Sequence, residues 1–109
     1  MTTVKIVRKF NRITEVECDG HTGYGCEGED IVCAGLSSIV QTALLGLMNV
    51  AGIKAGIIRD DEEGYLKIMV PDNIDEEARK KADIILDTML LGISDLREGF
   101  SDFIELEVI

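Results

Sequence analysis

Apolar and polar residues alternate from the start of the chain. Val4, Ile6 and Phe10 alternate with polar neighbours over residues 4–10, and Thr14, Val16 and Cys18 share one face over residues 13–18. This period of two predicts two strands joined by a turn at Asn11-Arg12. The alternation stops over Asp19 to Glu29, where Gly20, Gly23, Gly25 and Gly28 read as a loop. Asp30 is a suitable N-cap for a helix running to about Ala51, with Gly52 as its stop. Ile31, Leu36, Ile39, Val40, Leu44, Leu47 and Met48 make that helix apolar nearly all round, which predicts a central, buried position. Residues 55–59 and 65–70 read as a hairpin around Asp60 to Gly64, and Pro71-Asp72-Asn73 breaks the pattern. A second helix is predicted from about Asp75 to Glu98, with Ala78, Ala82, Ile85, Met89, Ile93 and Leu96 on one stripe and Gly99 ending it. A short strand over residues 103–108 closes the chain. The order ββαββαβ predicts an α+β fold, with two helices packed on one face of a five-stranded mixed sheet.

Composition narrows the class. With 109 residues and 46% apolar content, residues 1–109 are expected to form a single domain with its own core. The net charge of −10 argues against a direct nucleic-acid partner, because phosphate binding needs clustered Lys and Arg. It suits a basic protein partner, or simply solubility. The N-terminus lacks the basic-then-apolar layout of a signal peptide. The run Ile39 to Val50 contains Gln41, Thr42 and Asn49 and reads as too short to span a bilayer. A cytoplasmic protein without a membrane partner is expected. Three cysteines in a reducing compartment do not suggest a disulfide framework.

The densest chemistry is Gly20-His21, followed twelve residues after His21 by Cys33. On the predicted boundaries Cys33 lies one turn into the first helix. A thiol there feels the positive end of the helix dipole, which favours thiolate. Lowering a thiol pKa by about two units takes roughly 2.7 kcal/mol. The helix end supplies up to ~2 kcal/mol of this in a partly buried geometry, and a nearby imidazolium could supply the rest. Two other readings use the same residues. Gly23 to Gly28 matches G-x-G-x-x-G, with Asp60 and Asp61 as ribose-binding acids, but Glu27, Glu29 and Asp30 would repel a pyrophosphate and the chain is short for such a fold. Cys18, His21, Cys26 and Cys33 could instead ligate zinc in a small binding or interaction module, although C-x2-H-x4-C-x6-C lacks the usual paired knuckles. Residue types and spacing leave these readings open.

The segment Asp19-Gly20-His21, followed by Gly28-Glu29-Asp30-Ile31-Val32-Cys33-Ala34-Gly35-Leu36-Ser37, resembles the ribosomal-processing cysteine protease family, Prp. Its signature is Gly-His, a flexible loop, then Gly-x-Asp-Ile-Val-Cys-Ala-x-x-Ser. The element order, the length and Asp-Thr-Met-Leu at Asp87 to Leu90 resemble the family too. The resemblance implies a cysteine endopeptidase with His21 and Cys33 as catalytic dyad and with neither cofactor nor metal. Gly20, Asp30 and Ser37 match supporting or substrate-binding positions. Asp30 is an N-cap or helps set loop and imidazole geometry. Ser37 either allows close helix packing or hydrogen-bonds near the thiol. Backbone N–H groups at the helix start, that of Cys33 included, are candidates for an oxyanion hole. Tyr24 and the loop glycines suggest a lid. The implied substrate is the N-terminal extension of a basic bacterial large-subunit ribosomal protein, cut after two adjacent phenylalanines and before a small residue. The implied assembly is a homodimer. Apolar residues on both sides of the strands carrying Ile57, Ile58, Leu66, Ile68 and Val70 would leave surface for a second copy. Cys26 lies outside the signature.

Overall fold

Alternation at the N-terminus produces β1 (Thr2–Lys9) and β2 (Arg12–Asp19), paired antiparallel. In this computed structural model residues 1–20, 27–60 and 62–109 are described, with side chains in the first helix described from Ile31 onward. The turn sits at Phe10 and Asn11 (φ 53° and 64°), one residue earlier than the sequence predicts. Two consecutive positive φ values match the twist of a tight hairpin. Phe10 therefore leaves the strand and is 98% exposed. The pairing also slips. Val7 faces Glu15 but Arg8 faces Ile13, so Thr14 is an extra, bulged residue. Its hydroxyl donates to the Val7 carbonyl oxygen at 3.3 Å. The bulge turns Ile13, rather than the expected Thr14, toward the core beside Val16.

The remaining elements are α1 (Glu27–Asn49), β3 (Gly56–Asp60), β4 (Tyr65–Met69), α2 (Glu76–Gly99) and β5 (Ile104–Val108). The strands form one mixed sheet in the order β3-β4-β2-β1-β5, with β5 parallel to β1 and the other neighbours antiparallel. Both helices pack on the face that carries Val4, Ile6, Val16, Ile68 and Ile104, and these strand residues share one core with the helices. The expected ββαββαβ architecture is present.

Asp75 caps α2: its carboxylate accepts from the Ala78 N–H at 2.8 Å, a contact of the kind worth about 1 kcal/mol. Ala82, Leu86, Met89 and Ile93 form its buried stripe. Gly99 is the last helical residue rather than a left-handed stop, and the helix closes through the Phe100 N–H to the Leu96 and Arg97 carbonyls. The two helices meet through glycine. A Cβ on Gly46 would lie 3.3 Å from Ile85, and one on Gly92 would lie 3.4 Å from Ile39. Arg12 to Glu76 (3.1 Å) and to Asp83 (3.2 Å), with Arg8 to Asp87 (3.9 Å), tie α2 to the first hairpin.

α1 departs from expectation at its start and around its surface. It begins at Glu27, so Asp30 is inside the first turn and is not the N-cap. The helix is not buried all round either. Val32, Leu36, Val40, Ala43 and Leu47 face the core, whereas Ile31, Leu45 and Met48 are exposed. Ile31–Asn49 is, by length and composition alone, long and apolar enough to cross a membrane, against the reading of a shorter run; here one face of it builds the core. The strand apolar residues are likewise mostly one-sided. Leu66, Ile68 and Val70 pack against the helices, and Ile57 and Ile58 are exposed on the edge strand β3. The outer face of the sheet carries Lys5, Glu15, Glu17 and Lys67, with Lys67 at 3.9 Å from Glu15.

Candidate active site

β2 ends against the N-terminal residues of the chain. Gly20 has φ +127°, a region open to glycine and strained for other residues. A Cβ there would lie 2.5 Å from the Met1 carbonyl oxygen and 3.0 Å from Thr2 Cα, both backbone atoms. The Thr2 hydroxyl donates to the Gly20 carbonyl at 3.3 Å, and the Thr2 N–H donates to the Phe103 carbonyl at 2.9 Å. The glycine of the Gly-His pair thus has a local physical reason: the chain passes too close to β1 for any side chain.

Gly20 forms part of the wall of a cleft of about 210 Å3 between α1 and the ends of β2, β3 and β4. From α1 the cleft takes Cys33, Ser37 and Gln41, one helical turn apart along a single stripe. Leu36 and Val40 line it beside them. From the sheet it takes Thr2, Cys18, Leu66, Tyr65 and Arg59, and Gly64 lies at its edge. Of the residues predicted for the site, Gly20, Cys33 and Ser37 are therefore brought together. His21 and Cys26 lie outside the described residues, as do Gly23, Tyr24 and Gly25 of the expected lid, whereas Gly28 belongs to the first turn of α1. The Asp30 backbone is helical.

The later Cys33 position changes its chemistry. It lies six positions after the first helical residue, Glu27. The dipole effect fades within the first turn, so the helix end no longer accounts for thiolate formation. The Cys33 N–H is also committed to the helical ladder, toward the carbonyl four residues back. It is not an oxyanion donor, contrary to expectation. Ser37 is exposed on the cleft side rather than packed between helices, where Gly46 and Gly92 make the close approach.

Cys18 behaves differently from Cys33. It packs against the core, and burial pushes its pKa up to about 12, with the Cys33 and Glu17 charges adding to the rise. It stays a neutral thiol near pH 7. Tyr65 is held above the usual tyrosine range by partial loss of water, then by Glu17, which adds its charge and accepts the hydroxyl hydrogen bond, and by Asp19 and Glu15. Among the described residues no group of three His, Cys, Asp or Glu side chains is arranged to hold a metal. Sequence reasoning missed Gln41 and Arg59 in the cleft. Gln41 had a visible signal, a polar residue eight positions after Cys33 on an otherwise apolar helix. Arg59 had none, because its place depends on β3 pairing with β4.

The cleft therefore places a half-buried thiol in line with Ser37 and Gln41, beside an apolar wall. Comparison with known proteins agrees with that chemistry. The family model of cysteine protease Prp matches residues 1–105. The ribosomal processing cysteine protease Prp of Staphylococcus aureus is 33% identical over 107 residues, covering 97% of each chain. The crystal structure of an essential ribosomal processing protease Prp from S. aureus with a substrate peptide superposes with a TM-score of 0.89 at 29% identity, covering 100% of both chains. The same protease with a covalently linked product peptide gives 0.84 at 31% identity, again over 100% of both.

Proposed function

The chain belongs to the cysteine protease Prp family, and from that premise we propose that it removes the N-terminal extension of a basic large-subunit ribosomal protein in bacteria, with Cys33 as nucleophile and His21 as base. The observation that carries this reading is that Gly20, Cys33 and Ser37 line one cleft, as the Gly-His and Cys-Ala-x-x-Ser pairs of the signature require. His21 follows Gly20 directly and is the one histidine of the chain. A cysteine nucleophile is activated by an adjacent general base.

His21 takes the proton from Cys33 Sγ, and the thiolate attacks the scissile carbonyl carbon. The C–S bond forms while the carbonyl π electrons move to oxygen. His21 then gives the proton to the leaving amine as the C–N bond breaks. Water, deprotonated by His21, releases the N-terminal fragment from the thioester. Ser37 and Gln41, in line with Cys33, are assigned to binding the peptide backbone. Asp30, freed of a capping role, is assigned to setting the imidazole geometry. Leu36, Val40 and Leu66 supply an apolar wall for aromatic side chains. The net charge of −10 favours a basic substrate.

We assign the chain to the cytoplasm, as a single protease domain that works as a homodimer. Exposed apolar residues on the helices support the dimer: Ile31, Leu45, Ile84 and Leu91 are each more than half exposed. The test is cleavage of the ribosomal protein with its extension by wild type, Cys33→Ala and His21→Ala. Both variants are expected to fold and neither to cleave. Substantial cleavage by Cys33→Ala would end the reading.

A further inference from the structure

Two cysteines line the same cleft, and the proposed reaction uses only one of them. Cys18 reaches it from β2 and Cys33 from α1, with Gly20 and Leu66 beside them. Both are free thiols and both are partly buried. Cys33 is close enough to Cys18 to add to the rise in its pKa, after burial. From this shared cleft we propose that Cys18 and Cys33 are a peroxide-modified pair, in which a hydroperoxide oxidises Cys33 and Cys18 then captures it as a reversible disulfide. The inference rests on the reading of Cys33 as the reactive thiolate.

The two thiols have unequal roles. The thiolate is the form that hydroperoxides oxidise. With its pKa at about 12, Cys18 is protonated and spared. Cys33 Sγ attacks one peroxide oxygen: the S–O bond forms, the O–O bond breaks, and the alcohol or water leaves with the available proton. Cys33 becomes a sulfenic acid, oxidised by two electrons, and the peroxide is reduced by two. Cys18 Sγ then attacks Cys33 Sγ: the S–S bond forms, the S–O bond breaks, and the Cys18 proton leaves with the hydroxyl as water. A dithiol reverses the step, its own two thiols becoming a disulfide as Cys18 and Cys33 regain their protons. Without Cys18 the sulfenic acid is exposed to further peroxide and passes to sulfinic acid, which a dithiol does not restore.

The experiment treats the full chain with hydrogen peroxide, followed by non-reducing peptide mapping, a cleavage assay, and recovery with dithiothreitol. Wild type and Cys26→Ser should each lose two hydrogens and yield a cross-linked Cys18–Cys33 peptide. Most of their cleavage should return with dithiothreitol. Cys18→Ser and Cys18→Ala should carry sulfinic acid at Cys33 and recover at least about fivefold less of their own starting rate. A cross-link to Cys26, no cross-link at all, or full recovery of the Cys18 variants would overturn the proposal. The wild-type map alone decides the matter should the Cys18 variants fail to fold. A Cys18–Cys33 disulfide with undiminished cleavage would uphold the pairing and sink the nucleophile assignment. Irreversible loss of cleavage without a cross-link would do the reverse.

Discussion

Replacing Gly20 by alanine separates the geometry of the cleft from overall stability. At φ +127° an alanine carries backbone strain of about 1–3 kcal/mol. Its methyl would also lie 2.5 Å from the Met1 carbonyl oxygen, so the backbone itself has to shift. That shift strains the Thr2 hydroxyl bond to Gly20 or the Thr2 N–H bond to Phe103, each worth ~1 kcal/mol. The sum is roughly 2–4 kcal/mol, which lowers the melting temperature by roughly 10–20 °C for a domain of this size. Gly52→Ala is the control. Gly52 has φ +68° but open space around its Cβ direction, so its cost is about 1–2 kcal/mol of conformational strain alone. Thermal melts by circular dichroism give the two shifts. Steady-state cleavage of an extension peptide, at a temperature where both variants are folded, gives the second readout. Because His21 follows Gly20, displacing this wall by about 1 Å should cost about 10²-fold in kcat/KM, whereas Gly52→Ala should leave kcat/KM unchanged. Equal melting shifts for the two variants, with wild-type cleavage by Gly20→Ala, would refute the steric role of this glycine.

Cys18→Ser and Cys26→Ser should both keep cleavage, and purified protein should carry no stoichiometric metal; about one zinc per chain, with unfolding in chelator, would favour the zinc module instead. An extension peptide with both aromatic residues changed to alanine should lose most of its turnover, because each aromatic buried against Leu36, Val40 and Leu66 returns roughly 1.5–3 kcal/mol. Equal rates for that peptide, its parent and casein would contradict the apolar-wall reasoning. Light scattering at micromolar concentration should report a dimer mass, and a monomer mass would leave the exposed helix residues without their proposed partner.

Much of the fold was legible because local signals agreed with the global arrangement. Asp75 reads as a cap and is one; the α2 stripe through Ala82, Met89 and Ile93 is buried as its spacing demands. Three features were not legible, each for a physical reason. The bulge at Thr14 leaves no trace in a pattern that alternates on either side of it, because the extra residue is defined only by the partner strand. The sequence places the start of α1 too late, because Gly28 is a poor helix former and reads as loop. The outer surface of α1 reads as core because Ile31 and Met48 are apolar, and apolar composition does not say which face has a neighbour. In the site, the Gly-His and Cys-Ala-x-x-Ser pairs single out Gly20, Cys33 and Ser37, and these three line one cleft. Arg59 was invisible, since its position follows from strand pairing.

The identity of the covalent intermediate bears most directly on the proposed chemistry. The full chain, mixed with an extension peptide and quenched in acid during turnover, can be digested and mapped by mass spectrometry. The expected result is the N-terminal fragment of the peptide joined through its terminal carbonyl carbon to Cys33 Sγ, absent from the Cys33→Ala protein. An acyl group on Cys18 or Cys26, or cleavage by Cys33→Ala at the wild-type rate, would contradict the assignment of Cys33 as nucleophile.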